Sequence, residues 1–309
     1  MKNKNLLVTG GYGFLGRNVA RYFSDLGYTV YGVGHGNWTS EEYREYGFSI
    51  WKGDDITVES ITSLNVCFDV IIHCGGSGSV AYSITNPYQD FGKTVSGTAA
   101  VLEYIRLYNP DAKLIYPSSP AVHGEHCDSP IKEDDGIRPA SPYGEFKYMA
   151  EHLCHTYSNN FSVNIVILRL FSVYGEGLTK QLLWDASNKI VGAQQAVFWG
   201  CGYETRDWIH VDDAIRLMHK VADSELASGA VVNAGSGKST TIKAVLDLLA
   251  RELDYSGEIE FNQIVRAGDP LYYWADITKA LDIGWSPKVE LEDGIKRYAK
   301  WFLNQIKQQ

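Results

Sequence analysis

The sequence predicts an α/β protein: a doubly wound, mainly parallel sheet with a smaller lobe toward its C-terminal end. Three observations carry that prediction. Short β-branched runs alternate with helix-period segments through the first two-thirds of the chain, a glycine-rich turn joins the first of these runs to the first helical segment, and the alternation loosens after about Phe171. Strands covered on both faces read as short continuous apolar runs, and parallel neighbours need helical crossovers between them. The strand runs are Leu6–Thr9, Thr29–Val33, Val70–His73, Lys113–Tyr116 and Val163–Leu168. Helical spacing marks Phe14–Leu26, Gly97–Tyr108 and Tyr143–Tyr157, and a last helix is expected over Leu291–Gln305. The reading is a first domain over 1–170, with returning segments near 203–235, and a second over 171–309.

The 309 residues, 45% of them hydrophobic, suffice for one large or two intimate domains. A net charge of −9 argues against a nucleic-acid binder or a protein that docks on anionic lipid, since both need a basic face. The lysines ahead of Leu6 precede an apolar run that ends at Val8, too short for a signal peptide, and no stretch approaches a membrane span. The cysteines Cys67, Cys74, Cys127, Cys154 and Cys201 are scattered without a CxxC pair, so neither disulfides nor a metal site is expected, and a reducing cytoplasm is the expected compartment.

The turn Thr9-Gly10-Gly11-Tyr12-Gly13-Phe14-Leu15-Gly16 follows the first strand and opens an amphipathic helix. Gly10, Gly13 and Gly16 permit a tight turn, close approach of a pyrophosphate to the helix N-terminus, and close helix–sheet packing. The context is that of a Rossmann-type dinucleotide site. Farther on, Tyr143 and Lys147 in SPYGEFK lie four residues apart at the start of a helical segment, on one face and within reach of a common ligand. A lysine ammonium and an oxidised nicotinamide would both favour a tyrosinate, lowering a pKa normally near ~10. Such a phenol can remove or return the proton of a hydroxyl whose carbon exchanges hydride.

These motifs together resemble the extended short-chain dehydrogenase/reductases of the NAD-dependent epimerase/dehydratase family, whose sequences begin TGGxGFxG. The resemblance spans nearly the whole chain. It implies cofactor contacts from Gly10, Gly13, Phe14, Leu15 and Gly16, from Asp55 and Ile56 in KGDDI, and from Cys74 and Gly75 in a loop beneath the cofactor. Tyr143 and Lys147 are cofactor contacts too. At the end of the second strand, where the family often carries an acid that selects NAD, this chain has Gly34, followed by His35 as the nearest side chain; NAD is the expected cofactor, with NADP left open. Tyr116-Pro117-Ser118-Ser119-Pro120-Ala121-Val122-His123-Gly124 aligns with the family's SSxxVYG segment, which makes Ser119 the hydroxyl that steadies the reacting oxygen. Catalysis is thus assigned to Ser119, Tyr143 and Lys147. Ser83 and Lys93–Thr98 resemble a further family stretch in which the usual Asn is Thr94.

Arg206-Asp207 in ETRDWIHVDDA resembles a signature of nucleotide-sugar enzymes, and Arg266 to Asp269 with Tyr272-Tyr273-Trp274-Ala275-Asp276 resembles a segment of UDP-galactose 4-epimerases. The likeness implies that Arg206 and Arg266 grip a diphosphate, Asp269 holds a ribose, and Ser119, Ser172 and Tyr273 line the sugar site, with Tyr273 gating its size. Ser172 replaces a family Asn, and His123 a family Tyr. Dehydratases carry Asp-Glu after the catalytic hydroxyl, where this chain has Pro120-Ala121, which disfavours dehydration. The implied partners are a nucleotide diphosphate sugar and a second copy of the chain, paired through the Gly97–Tyr108 and Tyr143–Tyr157 helices. The favoured reading is a nucleotide-sugar epimerase, acting at C4 through a keto intermediate. A keto-sugar reductase or sugar dehydrogenase, and more remotely a dinucleotide sensor, stay open. Gly235–Ser239 mimics a phosphate loop, but the required first glycine is Val232. His152 and His155 read as helix surface, and Glu133-Asp134-Asp135 as a solvated loop.

Overall fold

The structure, a computed structural model, describes residues 4–191, 194–264 and 270–307. Its central sheet has seven strands, ordered Ala230–Ala234, Asn164–Leu170, Lys113–Ser118, Val70–His73, Asn5–Thr9, Thr29–Gly34 and Phe48–Gly53. The pairings from Asn164–Leu170 across to Phe48–Gly53 are all parallel. The order reverses beside Asn5–Thr9, the switch point at which doubly wound sheets bind ligands beyond their strand C-termini. Phe48–Gly53 and Ala230–Ala234 were not among the expected strands. The first is an edge strand with only Phe48 fully buried and a lysine and glycine at its end, so it carries no continuous apolar run; the second lies between Gly229 and Gly235, outside the alternating part of the sequence.

Helix Phe14–Asp25 buries Gly16, Val19, Ala20 and Phe23, a spacing that lays one stripe against the sheet. Helix Pro142–Phe161 is different. Its buried face is Gly144, Lys147, Ala150, Glu151 and Cys154, so two charged residues occupy core positions of an otherwise apolar stripe. Both need a polar reason to be there. Ser141 caps this helix by accepting from Gly144 N at 3.2 Å, and Pro142 occupies its first turn. Ser162, in left-handed geometry at φ 57°, ends it.

The chain divides into two compact units: 1–124, 136–170 and 215–232 form the first, and 125–135, 171–214 and 233–309 the second. The stretch 125–135, read from sequence as part of the first domain, belongs to the second because of its partners there. Ile131 N donates to Trp274 O at 2.8 Å, and Asn233 N donates to Glu133 Oε1 at 2.8 Å. Glu133 is therefore not part of a solvated loop: its side chain is 6% exposed. Its neighbour Asp135 accepts from Lys132 N at 2.8 Å.

Candidate active site

Strand Lys113–Ser118 delivers Ser119 in extended geometry (φ −146°, ψ 145°), as the following proline requires, and a turn of 3₁₀ helix begins at Pro120. Ser119 Oγ accepts from Ala121 N at 3.2 Å, which fixes the hydroxyl while leaving its proton to donate. Helix Pro142–Phe161 meets this loop very closely: a Cβ on Gly144 would lie 2.5 Å from Ala121 O. Tyr143 N donates to Ser83 Oγ at 3.0 Å, anchoring the start of the helix from the other side. Lys147 Nζ, buried four residues on, donates to Pro117 O at 2.9 Å and lies 5.0 Å from the centre of the Tyr116 ring.

Ser119, Tyr143 and Lys147 are thus brought together within one unit. Burial pushes the Tyr143 phenol up, a hydrogen bond with Ser119 pulls it down, and the charge of Asp90 adds to the rise. The net direction is upward, opposite to the lowering expected from Lys147. Burial also brings the Lys147 ammonium down to about 8, against the opposing charges of Cys74, Glu151 and Asp90. A buried lysine so poised exchanges its proton near neutral pH.

The glycine turn fits a dinucleotide. Gly10 has φ 66°, and a Cβ there would stand 2.7 Å from Gly75 Cα. One on Gly16 would stand 2.6 Å from Gly10 O. The cradle therefore exists only with bare backbone at both positions, and helix Phe14–Asp25 carries no acid in its first turn to repel a phosphate. Phe14 and Leu15 are half-buried in that turn. Gly75 would place a Cβ 2.2 Å from Ile56 Cδ1, so the Cys74–Gly75 loop and Ile56 are in contact, with Cys74 half-buried and its thiol pushed up to about 12 by burial.

Beneath the turn runs a hydrogen-bond chain whose direction can be assigned. Thr98 Oγ1 donates to Thr94 O at 2.6 Å, so at 3.2 Å it can only accept from His73 Nε2. His73 Nδ1 must then accept from Thr9 Oγ1 at 2.6 Å, and Thr9 Oγ1 accepts from Gly75 N at 3.3 Å. His73 is a neutral imidazole with its proton on Nε2. Burial, with help from Lys147, holds its pKa down at about 3.

At the adenosine end, His35 Nε2 lies 3.1 Å from Asp55 Oδ1, and both side chains are exposed. Asp55 does not cap the helix that follows: Thr57 does, accepting from Ser60 N at 3.0 Å. A Cβ on Gly34 would lie 3.0 Å from Gly10 N, so the missing acid has a steric counterpart: this strand end presses on the glycine turn. Sequence reading missed the aromatic wall beside it. Trp51 Nε1 donates to Gly36 O at 3.0 Å, and Trp38 packs on Tyr12 at 4.7 Å and on Trp51 at 5.0 Å between ring centres. The density of aromatics between Trp38 and Trp51 was the available signal. Also missed was a buried triad behind Lys147. Arg169 binds both oxygens of Glu151, at 3.1 and 2.8 Å, and its Nη1 lies 2.9 Å from His123 Nε2. Since a guanidinium only donates, His123 accepts at Nε2 and its Nδ1–H points to Gly136 O at 3.2 Å.

In the second unit the motif residues are bound up in their own framework. Asp207 is fully buried and accepts from Ser236 N at 2.6 Å, Ser236 Oγ at 2.7 Å, Gly237 N at 2.9 Å and Ala275 N at 3.1 Å. The loop that mimics a phosphate binder thus turns its amides on the chain's own carboxylate. Arg206 Nη1 donates to Thr205 O and Pro270 O, each at 2.8 Å, and its guanidinium lies 6.0 Å from the Tyr273 ring centre. Ser172 N donates to Asp207 O at 2.9 Å, with its side chain partly exposed. Tyr273 is 9% exposed and packs with Ile131, Phe171 and Ala275, and its place at the sugar site belongs to the proposal below. Arg266 and Asp269 lie outside the described residues.

Comparison with known proteins agrees with this geometry. The model of the NAD dependent epimerase/dehydratase family matches residues 6–235. A putative UDP-glucose 4-epimerase of Methanocaldococcus jannaschii is 30% identical over 308 residues, covering 97% of this chain and 98% of that protein. Among solved structures, a UDP-glucose 4-epimerase of Thermotoga maritima bound to UDP-glucose superposes with a TM-score of 0.88 at 28% identity, covering 98% of this chain and 99% of the other. A UDP-glucuronic acid 4-epimerase of Bacillus cereus, bound to UDP-glucuronic acid and NAD, gives 0.86 at 27% identity, covering 97% and 99%.

Proposed function

The chain belongs to the NAD dependent epimerase/dehydratase family, and from that footing we propose that it is a nucleotide-sugar 4-epimerase that uses NAD on a UDP-hexose or UDP-hexuronate. The observation that carries the reading is the convergence of Ser119, Tyr143 and Lys147 in the unit that also carries the glycine cradle. NAD, when bound, supplies a hydride acceptor that can return the hydride to either face of the keto sugar. The chain's own groups handle the proton. Tyr143 takes it from the sugar hydroxyl, Ser119 donates a hydrogen bond to the oxygen as charge builds, and Lys147 places a positive charge beside both. The substrate-side roles of Ser172, Arg206, Arg266, Asp269 and Tyr273 belong to this proposal as well, as does the contact of His35 and Asp55 with the adenosine.

The decisive experiment is incubation with UDP-glucose, UDP-galactose, UDP-glucuronic acid and UDP-galacturonic acid, read by NMR of the sugar, alongside mass spectrometry of the cofactor that copurifies. Interconversion of a 4-epimeric pair without net NADH release is the expected result. Stoichiometric NADH accumulation would identify a dehydrogenase, and a requirement for added NADPH a reductase.

We further propose a homodimer. An apolar groove of about 460 Å³, lined by Phe91, Val95, Tyr148, Met149, His152 and Leu153, runs along the Tyr143–Tyr157 helix and the start of its neighbour. Phe91, Tyr148 and Met149 are exposed within it, and this uncovered apolar surface on a helix named from the sequence as a pairing element favours a second copy as its occupant. His152 is thus part of this groove. A monomer by light scattering at micromolar concentration would overturn this. No helix among the described residues is long and apolar enough to cross a membrane. The unpaired thiols of all five cysteines suit a cytoplasmic enzyme.

A further inference from the structure

Strand Lys113–Ser118 pairs with Asn164–Leu170 so that Ser118, the residue before Ser119, stands opposite Arg169. Arg169, Glu151 and His123 are all buried. A buried guanidinium must bind partners or carry a large desolvation cost. Arg169 reaches two other segments: it binds both oxygens of Glu151 on the catalytic helix, at 3.1 and 2.8 Å, and meets His123 Nε2 at 2.9 Å in the turn after Ser119. The carboxylate already balances the arginine's charge. His123, which meets Arg169 with a ring lone pair, adds no charge but takes a direction from it. A planar guanidinium held through both oxygens of a carboxylate has its remaining donors fixed in space.

His123 is anchored on its other side as well. Its Nδ1–H donates to Gly136 O at 3.2 Å, its backbone N donates to Pro120 O at 2.9 Å, and Arg138 N donates to Val122 O at 3.0 Å. The stretch gripped in this way runs on to Ser141, the cap of the catalytic helix. The turn that begins at Ser119 is therefore tied on one side to the strand bearing Arg169 and on the other to the approach of the helix bearing Tyr143. Little slack is left between turn and helix, because Ala121 O stands where a Cβ on Gly144 would come within 2.5 Å of it.

We propose that His123 is a positioning residue: with Arg169 and Glu151 it forms a buried clamp that holds the Ser119 hydroxyl in place against Tyr143. The proposal rests on the reading of Ser119 and Tyr143 as catalytic groups, and it gives a role to a residue at which this chain departs from the Tyr of its family. A donor aimed at developing charge acts only when it is preorganised, and a displacement of about 1 Å can cost ~10²-fold in rate.

Three substitutions at one position separate the clamp from bulk. His123→Leu fills the space and removes both ring bonds, His123→Asn keeps a donor near Gly136 O but falls short of Arg169, and His123→Gln reaches Arg169 with an acceptor. The Ala121 amide, which donates to Ser119 Oγ, reports on that hydroxyl without turnover through its hydrogen exchange, measured by NMR. Exchange at Ala121 should quicken by about tenfold or more in His123→Leu and His123→Asn, and return toward the parental rate in His123→Gln. With the UDP-sugar pairs, kcat should fall by about 10–100-fold in His123→Leu and His123→Asn while KM stays within about threefold, and His123→Gln should recover most of the loss. Parental exchange at Ala121 in His123→Leu and His123→Asn overturns the proposal, as does quickened exchange with parental kcat. An equal loss of Tm and activity in all three variants, His123→Gln included, marks His123 as packing alone and overturns it too. Should His123→Leu fail to fold, His123→Asn against His123→Gln carries the same comparison. Absence of turnover in the parent would refute the epimerase reading, while exchange at Ala121 still decides the clamp.

Discussion

The two units of this chain use charged and polar residues in opposite ways. In the first, the polar side chains that sit in the core face one another across short gaps and retain chemistry. Lys147 is tuned to about 8, His73 is kept neutral, and Ser119 is aimed by one backbone amide. In the second, equally distinctive charged residues are consumed by architecture. Asp207 spends its acceptors on four donors from Ser236, Gly237 and Ala275. Glu176, raised by burial, is nevertheless held to about 2 by His210 and Arg297, and Arg297 also binds Asp212 at 2.9 Å. The contrast teaches that a motif's clarity does not report its job. What separates the two cases is whether a buried charge is met by several partners, as Asp207 and Glu176 are, or is left largely desolvated with one, as Lys147 is with Pro117 O, and so stays adjustable.

The comparison breaks most sharply at Tyr143. Tyr143→Phe removes a proton carrier and little packing, so kcat should fall by the ~10²–10⁴-fold typical of a lost acid–base group, with Tm almost unchanged. Activity within threefold of the parent would take Tyr143 out of the mechanism. Asp207→Ala should do the reverse. It strands four donors around a buried site, and we expect a loss of about 3–5 kcal/mol in unfolding free energy by denaturant titration. A stable Asp207→Ala protein with lost activity would mean that this acid belongs to the chemistry after all.

A smaller effect sharpens the picture at His73. Its folded-state pKa of about 3 lies below the ordinary value of 6.5, so the unfolded chain takes up the proton first as pH falls. The stability it contributes is complete above pH ~6.5 and declines toward pH ~3, by roughly 1.4 kcal/mol per pH unit. His73→Asn should be less steep than the parent in this window when stabilities are compared at matched pH; parallel slopes would contradict a neutral His73. The smallest effect is expected at Lys238, in the loop that mimics a phosphate binder. Its ammonium pairs with Glu290 at 2.6 Å, both side chains being 63% exposed. Lys238→Ala should change stability by less than ~0.5 kcal/mol and leave turnover intact. A large loss of nucleotide binding would revive the phosphate-loop reading.

Much of the catalytic unit was legible because local rules and tertiary needs coincide there. A glycine turn after a strand, a capped helix bearing Tyr and Lys one turn apart, and a Ser-Pro at a strand end each specify backbone geometry within a few residues, and the fold places them without further adjustment. The same is true of the helix Gly97–Tyr108, whose observed bounds are those its periodicity indicates. Where the sequence misled, long-range partners decided. Glu133 reads as solvated until Asn233, a hundred positions away, donates to it. The phenol of Tyr143 reads as acidified because its lysine is visible in the sequence, whereas the burial that raises it is not.

By itself, then, the sequence determined the alternating α/β architecture, the glycine turn and the placement of Tyr143 and Lys147 on one helix face, since these follow from chain-local sterics and side-chain spacing, while Ser119 was named from the family resemblance. Only the tertiary structure decided the charge states and the second use of charge: the tautomer of His73, the pairing of Arg169 with Glu151 and the saturation of Asp207. Those depend on desolvation and on donors drawn from distant segments, and neither quantity exists until the chain has closed around them.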